Sequence, residues 1–159
     1  IPTRGMMGLR NRILNVTHGE GILFHNFYEY GPFRGDLGGR KVGSMISMST
    51  EKAVAYALDT LQQRGKLLVG PGEECYEGMI VGLNSRNEDM VVNPSKAKKA
   101  SNIRAAGTDE AVKLPPHRVF TLEESLEFIN EDELVEITPL NIRLRKRFLT
   151  ERERRKSGK

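Results

Sequence analysis

The residues of this chain best suited to chemistry are cations set among hydroxyl and amide groups. Lys96, Lys98, Lys99 and Arg104 fall between Val92 and Gly107, a stretch that contains no acid. Ser101 and Asn102 lie among them. Lysine acts on a phosphate as a point charge and arginine as a two-pronged donor, while Ser and Asn can reach sugar or base edges. A second set, Arg143, Arg145, Lys146 and Arg147, follows near the end of the chain. The first set carries no aromatic platform, so stacking on single strands fits it poorly, and contact with the shape and backbone of folded RNA fits better. The plainer reading of residues 92–107 is a solvated connection.

Catalytic arrangements are harder to find. Gly35-Asp-Leu-Gly-Gly-Arg-Lys41 resembles a phosphate-binding loop only loosely, because Val42 stands where Ser or Thr is needed and the glycine spacing is wrong. His18, His25 and His117 have no metal-ligand spacing to one another or to Cys75, so each is expected to be a buried or hydrogen-bonded structural histidine. Cys75 as a nucleophile would need a base and an activating environment, and a small semi-buried thiol is the simpler expectation. Residues 120–136 carry seven acids and no Lys or Arg, and these read as the solvated face of a helix.

The loop must be held by ordinary elements. Thr3 to about Asn15 predicts a helix capped by Thr3, weakened by Gly5 and Gly8. Ile22–Tyr28 predicts an aromatic-rich strand. Residues 31–43 hold five glycines and Pro32, the composition of a linker. Strands are predicted at Val42–Met48, Leu67–Val69 and Gly78–Leu83, with a helix capped by Thr50 and stopped by Gly65. That helix presents Val54, Leu58 and Leu61 on one face. Gly70-Pro71-Gly72 reads as a turn. Pro94, Ser95, Ser101, Asn102 and Gly107 interrupt any periodicity, so residues 93–107 predict a long loop, which in a compact domain is usually functional or disordered. Thr121-Leu-Glu-Glu124 is a capping box opening a helix with Leu122, Leu126 and Ile129 as its buried stripe. Leu134–Thr138 and Ile142–Lys146 read as a hairpin in which Arg143 and Arg145 point away from the core. Thr150-x-x-Glu153 opens a short basic helix.

Bulk properties bound the function. A chain of 159 residues can hold one ordinary domain and a piece of another. The single cysteine excludes an internal disulfide and points to a reducing compartment. No apolar run reaches the roughly 20 residues of a membrane span, so no membrane partner is expected. The opening Ile1-Pro2-Thr3 reads as an excised piece of a longer protein. Net charge is only +4, yet residues 140–159 carry nine bases against two acids, opposite in sign to the acidic helix region. Such segregation suggests an anionic partner for one face.

Several strings then stand together in order. Arg4-Gly-Met-Met-Gly-Leu-Arg10, Ala53-Val-Ala-Tyr-Ala-Leu58, Leu61-Gln-x-Arg-Gly-Lys-Leu67, Tyr76-Glu-Gly-Met-Ile80, Asn102-Ile-Arg104-Ala-Ala-Gly-Thr-Asp-Glu-Ala111 and Leu134-Val-Glu-Ile-Thr-Pro139 resemble the C-terminal part of the BipA/TypA translational GTPases. The resemblance implies an α+β fold. Residues 31–159 would form a family-specific C-terminal ribosome-binding domain of mixed strands with two or three helices. Residues 1–30 would be the last helix and strand of an incomplete ferredoxin-like domain related to elongation factor G. It further implies a cytoplasmic, ribosome-associated parent linked to large-subunit assembly and to stress or cold. In such a parent, loop 93–107 would dock on large-subunit rRNA and the tRNA acceptor end near the A site. No catalytic residue and no metal is expected here, since GTP and Mg²⁺ would belong to a GTPase domain outside these residues. Weak self-association through the cut ferredoxin-like edge is a further expectation. The alternative is a protein-interaction or structural module docking on other domains or an acidic partner.

Overall fold

The computed structural model describes residues 1–6, 8–33, 35, 40, 42–97 and 114–157. Its architecture is α+β. Four strands form one sheet, two form a hairpin, and helices flank them. Lys98, Lys99, Ser101, Asn102 and Arg104 lie outside the described residues, as do Asp36 and Gly39.

The amino-terminal helix is shorter than the sequence predicts. Thr3–Met6 is a 3-10 turn, and helix α1 runs over Leu9–Val16. Gly8, with φ +69°, takes the N-cap position in place of Thr3. That left-handed conformation suits glycine and breaks the helix there. Ile22–Tyr28, expected as a strand, joins no sheet among the described residues, and Phe24, Phe27, Tyr28 and Tyr30 are solvent-exposed.

The main sheet has the order β2-β3-β1-β4. Strand β1 (Ser44–Ser47) is buried along its whole length, as a central strand should be. Helix α2 (Ala55–Gln62) follows, then β2 (Gly65–Leu67), β3 (Ile80–Asn84) and β4 (Met90–Val92). Strand β3 pairs antiparallel with both β1 and β2, and β4 pairs parallel with β1. The sequence reading missed β4, which is three residues long and directly precedes the basic stretch 93–107.

Helix α2 buries Ala57, Leu58 and Leu61. Leu58 and Leu61 join Met45, Leu67, Val69, Met79, Val81 and Val92 in one apolar cluster. Fully burying a side chain of Leu or Met size contributes roughly 1.5–3 kcal/mol, so this cluster is the main cohesive term of the sheet. Thr50 does not cap α2. The N-cap position is Val54, whose N–H is used by the carbonyl of Pro94. Thr50 Oγ1 instead accepts from Glu77 N at 3.1 Å. Tertiary contacts hold residues 51–54 extended, with Lys52 bridged to Glu74, and delay the helix.

Helix α3 (Leu122–Phe128) carries the expected capping box, with the Thr121 and Glu124 side chains each accepting a backbone N–H of the other residue. Its stripe is not the expected one. Leu122 and Leu126 are 40% and 45% exposed, whereas Ser125 is fully buried. Ser125 can be buried without an unpaired polar group, since its hydroxyl donates to Thr121 O at 2.8 Å. Phe128 packs on Phe120 at 5.2 Å. Strands β5 (Glu133–Ile137) and β6 (Ile142–Lys146) form the predicted hairpin, and helix α4 (Glu151–Ser157) follows.

The hairpin is fastened to the sheet at Gly78. Lys146 N donates to Gly78 O at 2.8 Å, and Met79 bridges Arg145. Gly78 has φ +86°, and a Cβ there would lie 2.6 Å from Leu149 Cα. Only glycine fits both the backbone conformation and the close approach.

Candidate nucleic-acid interface

The register of the hairpin decides which cations are available. Glu133 faces Lys146, Glu136 faces Arg143, and Ile137 faces Ile142. Because side chains alternate, Glu133, Val135, Ile142, Leu144 and Lys146 share one face, and Leu134, Glu136, Arg143 and Arg145 share the other. The sequence reading separated the arginines from the leucine face correctly. It did not foresee that Lys146 belongs to the inward face.

Lys146 is 2% exposed at its side chain and enclosed by three carboxylates. Its Nζ lies 2.5 Å from Asp89 Oδ2, 2.7 Å from Asp132 Oδ2 and 2.9 Å from Glu133 Oε1. Glu133, whose side chain is wholly buried, also takes both prongs of Arg40 at 2.8 and 2.9 Å. It further accepts from Ser44 Oγ and from Asn130 N. Arg40 stacks over the Phe128 ring at 4.2 Å. Burial works against the charges of Glu133, Asp89 and Lys146. Even so, hydrogen bonds from Arg40, Lys146 and Asn130 hold Glu133 below its ordinary carboxylate value. Bonds from Lys146 and Ser44 do the same for Asp89. Burial likewise opposes the Lys146 ammonium, and its carboxylate partners outweigh that and raise its pKa. As a correction to the expected RNA contacts, Lys146 is a structural cation that ties β6 to the start of β5 and to Asp89, the residue before β4.

Arg143 and Arg145 are half-buried. Arg145 Nε lies 3.9 Å from Glu136 Oε2, and Tyr76 donates its hydroxyl to the same oxygen at 2.6 Å. Burial, then that hydrogen bond, pushes the Tyr76 phenol upward. Arg143 sits opposite Glu136 and borders a cleft of about 620 Å³ with Glu73, Glu74 and His117. Arg147 and Lys96 are exposed. The structure thus places Arg143, Arg145, Lys146 and Arg147 on one strand end but leaves only Arg147 fully presented to solvent.

Cys75 is buried, and burial, then the charge of Glu73, pushes its thiol up to about 11. It is a protonated core residue at neutral pH. His117 Nε2 lies 3.3 Å from Glu73 Oε1 and fits the structural role expected of it. His18 and His25 are exposed, against expectation. Among the described residues no group of His, Cys, Asp and Glu could hold a metal ion. None of their helices is long and apolar enough to cross a membrane.

Sequence reasoning missed Arg40 and the ion cluster altogether. Arg40 and Glu133 are 93 positions apart, and no local pattern connects them.

The fold is an α+β domain, with a buried ion cluster inside and cations along one end. Residues 42–151 match the TypA/BipA C-terminal domain. The chain is 51% identical to the large ribosomal subunit assembly factor BipA of Escherichia coli (strain K12), 49% to that of Buchnera aphidicola subsp. Schizaphis graminum and 46% to that of Bacillus subtilis (strain 168). Each likeness covers the whole of this chain and 26% of the relative, so the chain spans about a quarter of the length of those proteins. The chain belongs to the TypA/BipA family.

Proposed function

We propose that this chain is the ribosome-docking C-terminal portion of a BipA-like translational GTPase, acting in large-subunit assembly. Loop 93–107 makes the principal contact, with Lys96, Lys98, Lys99, Ser101, Asn102 and Arg104 on large-subunit rRNA and the tRNA acceptor end near the A site. Arg143, Arg145 and Arg147 add backbone contacts. Residues 31–159 form the docking domain, and residues 1–30 belong to a ferredoxin-like domain completed elsewhere in the parent. GTP and Mg²⁺ act in that parent, outside this chain, and the parent works in the cytoplasm. The observation that carries this reading is the likeness over the full chain to proteins whose name is large ribosomal subunit assembly factor. The loop's charge agrees with it, because phosphate contacts supply most sequence-independent affinity.

The test is co-sedimentation of the 159-residue chain with large ribosomal subunits over a series of salt concentrations. It is run beside the variant Lys98→Ala/Lys99→Ala/Arg104→Ala. Binding that weakens steeply with salt and is lost in the variant supports the reading. Salt-insensitive binding, or equal binding by both proteins, removes the loop from the contact.

A second reading applies to residues 22–33. Phe24, Phe27, Tyr28, Tyr30 and Phe33 are each more than 70% exposed, more apolar surface than a monomer usually presents in one segment. This favours a protein contact there, either with other domains of the parent or with a second copy of the chain. Sedimentation velocity at rising concentration separates the two.

A further inference from the structure

The hairpin geometry narrows where phosphate contacts at this end of the molecule can come from. Lys146 is enclosed by carboxylates, and Arg145 and Arg143 face Glu136. The fully exposed cations at this end are Arg147 and, just beyond it, those on α4. Arg152, Arg155 and Lys156 stand at i, i+3 and i+4, a spacing that puts all three on one side of a helix. They border one shallow concavity together with Glu151. Arg152 and Lys156 make no ion pair among the described residues. Arg155 lies 2.5 Å from Glu151 Oε1, but the Arg155 side chain is largely exposed and that of Glu151 half-exposed, and such surface pairs contribute little.

The helix that carries them is fixed in place. Thr150 and Glu153 form a second reciprocal cap, with Thr150 Oγ1 donating to Glu153 Oε2 at 2.8 Å. The Glu153 carboxylate is therefore used within the helix. The Arg154 guanidinium donates to the carbonyls of Phe148 and Leu149, which pins the helix to the end of β6. Leu149 in turn packs against Gly78. A capped, anchored helix holds the backbone of its cations at set positions, so less backbone freedom is lost when they bind.

We propose that α4 is a second RNA-contacting element, with Arg152, Arg155 and Lys156, and Arg147 at its base, clamping the phosphate backbone of large-subunit rRNA independently of the 93–107 loop. The proposal rests on the docking reading above. An RNA partner fits this face better than an acidic protein, because the face is charged throughout and lacks an apolar centre. Interfaces with nucleic acid are markedly more positive than those between proteins. Arginine forks match phosphate oxygens in pairs, and contact of this kind positions the protein without reading sequence.

The experiment compares the wild-type chain, the loop variant and Arg152→Ala/Arg155→Ala/Lys156→Ala. Each is titrated onto large ribosomal subunits and onto protein-free large-subunit rRNA across a salt series. The α4 variant is expected to bind both at least tenfold more weakly, with a log–log salt slope shallower by about two to three, as removal of three phosphate contacts requires. An α4 variant equal to wild type in affinity and slope overturns this proposal, and if the loop variant has lost binding the docking reading survives. Loss on subunits but not on rRNA also overturns it and assigns α4 a ribosomal protein instead. Failure of the wild-type chain to bind subunits overturns the docking reading, and α4 then stands or falls on the rRNA titration alone.

Discussion

Replacing Glu133 by alanine should be among the most damaging single changes in this chain. The side chain is wholly buried and receives both prongs of Arg40, the Lys146 ammonium, the Ser44 hydroxyl and the Asn130 N–H. Removing one partner from a buried ion pair costs roughly 3–5 kcal/mol, because the opposite charge stays buried and uncompensated. Here two cations are left behind. Lys146 keeps Asp89 and Asp132, and Arg40 keeps Asp89 at 3.5 Å, which moves the loss toward the lower end, about 3–4 kcal/mol. For a chain of this length, that is a fall in Tm of roughly 6–16 °C. Urea unfolding at pH 7 followed by circular dichroism reads it directly, with the midpoint falling and the slope unchanged. Glu133→Gln keeps an acceptor of the same shape and should lose less. A Glu133→Ala midpoint within about 1 kcal/mol of wild type would refute the claim that this cluster is dry and closely paired.

Other consequences can be checked separately. The cluster predicts a plateau of stability bounded on both sides. Asp89 and Glu133 titrate below their ordinary 3.8 and 4.5, so their contribution is fully present above those values and drains as pH falls through the depressed native ones. Lys146 titrates above its ordinary 10.5, so its share is present below that pH and lost as pH rises through the higher native value. Urea midpoints measured across pH should show both edges. Gly78→Ala should cost about 2 kcal/mol or more, since the residue meets positive-φ strain and Leu149 together, and equilibrium unfolding measures it. Thr121→Ala should cost about 1 kcal/mol by removing one half of the α3 capping box, again read from the urea midpoint. Cys75 should resist iodoacetamide at pH 8 in the folded chain and react promptly once urea unfolds it, because burial keeps it a thiol.

Local features were legible in the sequence, and long-range ones were not. The two capping boxes depend on residues three apart and appear where their spacing predicted. The hairpin could be read from its alternation and from Pro139-Leu140-Asn141 between its strands. Thr50 misled because its hydroxyl serves Glu77, a partner 27 residues away, instead of a following helix. Leu122 and Leu126 misled because α3 is only seven residues long, and Ser125 and Phe128, set by their own contacts, take the inner side. Lys146 looked like its neighbours Arg145 and Arg147. Only the register with Glu133, and the approach of Asp89 and Arg40 from other strands and loops, distinguishes it. The family likeness needed no geometry, since its strings are contiguous.

The ion cluster also dictates an order of events during synthesis. The main sheet needs nothing beyond Val92, so it can assemble while the hairpin is still unmade. Arg40 then waits for Glu133 and Lys146. At about 5–20 residues per second, the roughly fifty further residues take on the order of 3–10 s. Through that interval Arg40 remains hydrated, and the edge it will cover stays open to chaperones or to misplaced contacts. When Lys146 arrives, Glu133, Arg40 and Lys146 can leave water together, with Asp89 and Asp132 closing the rim. That closing step gives the nascent domain a late, cooperative checkpoint, which a chain truncated before β6 cannot pass.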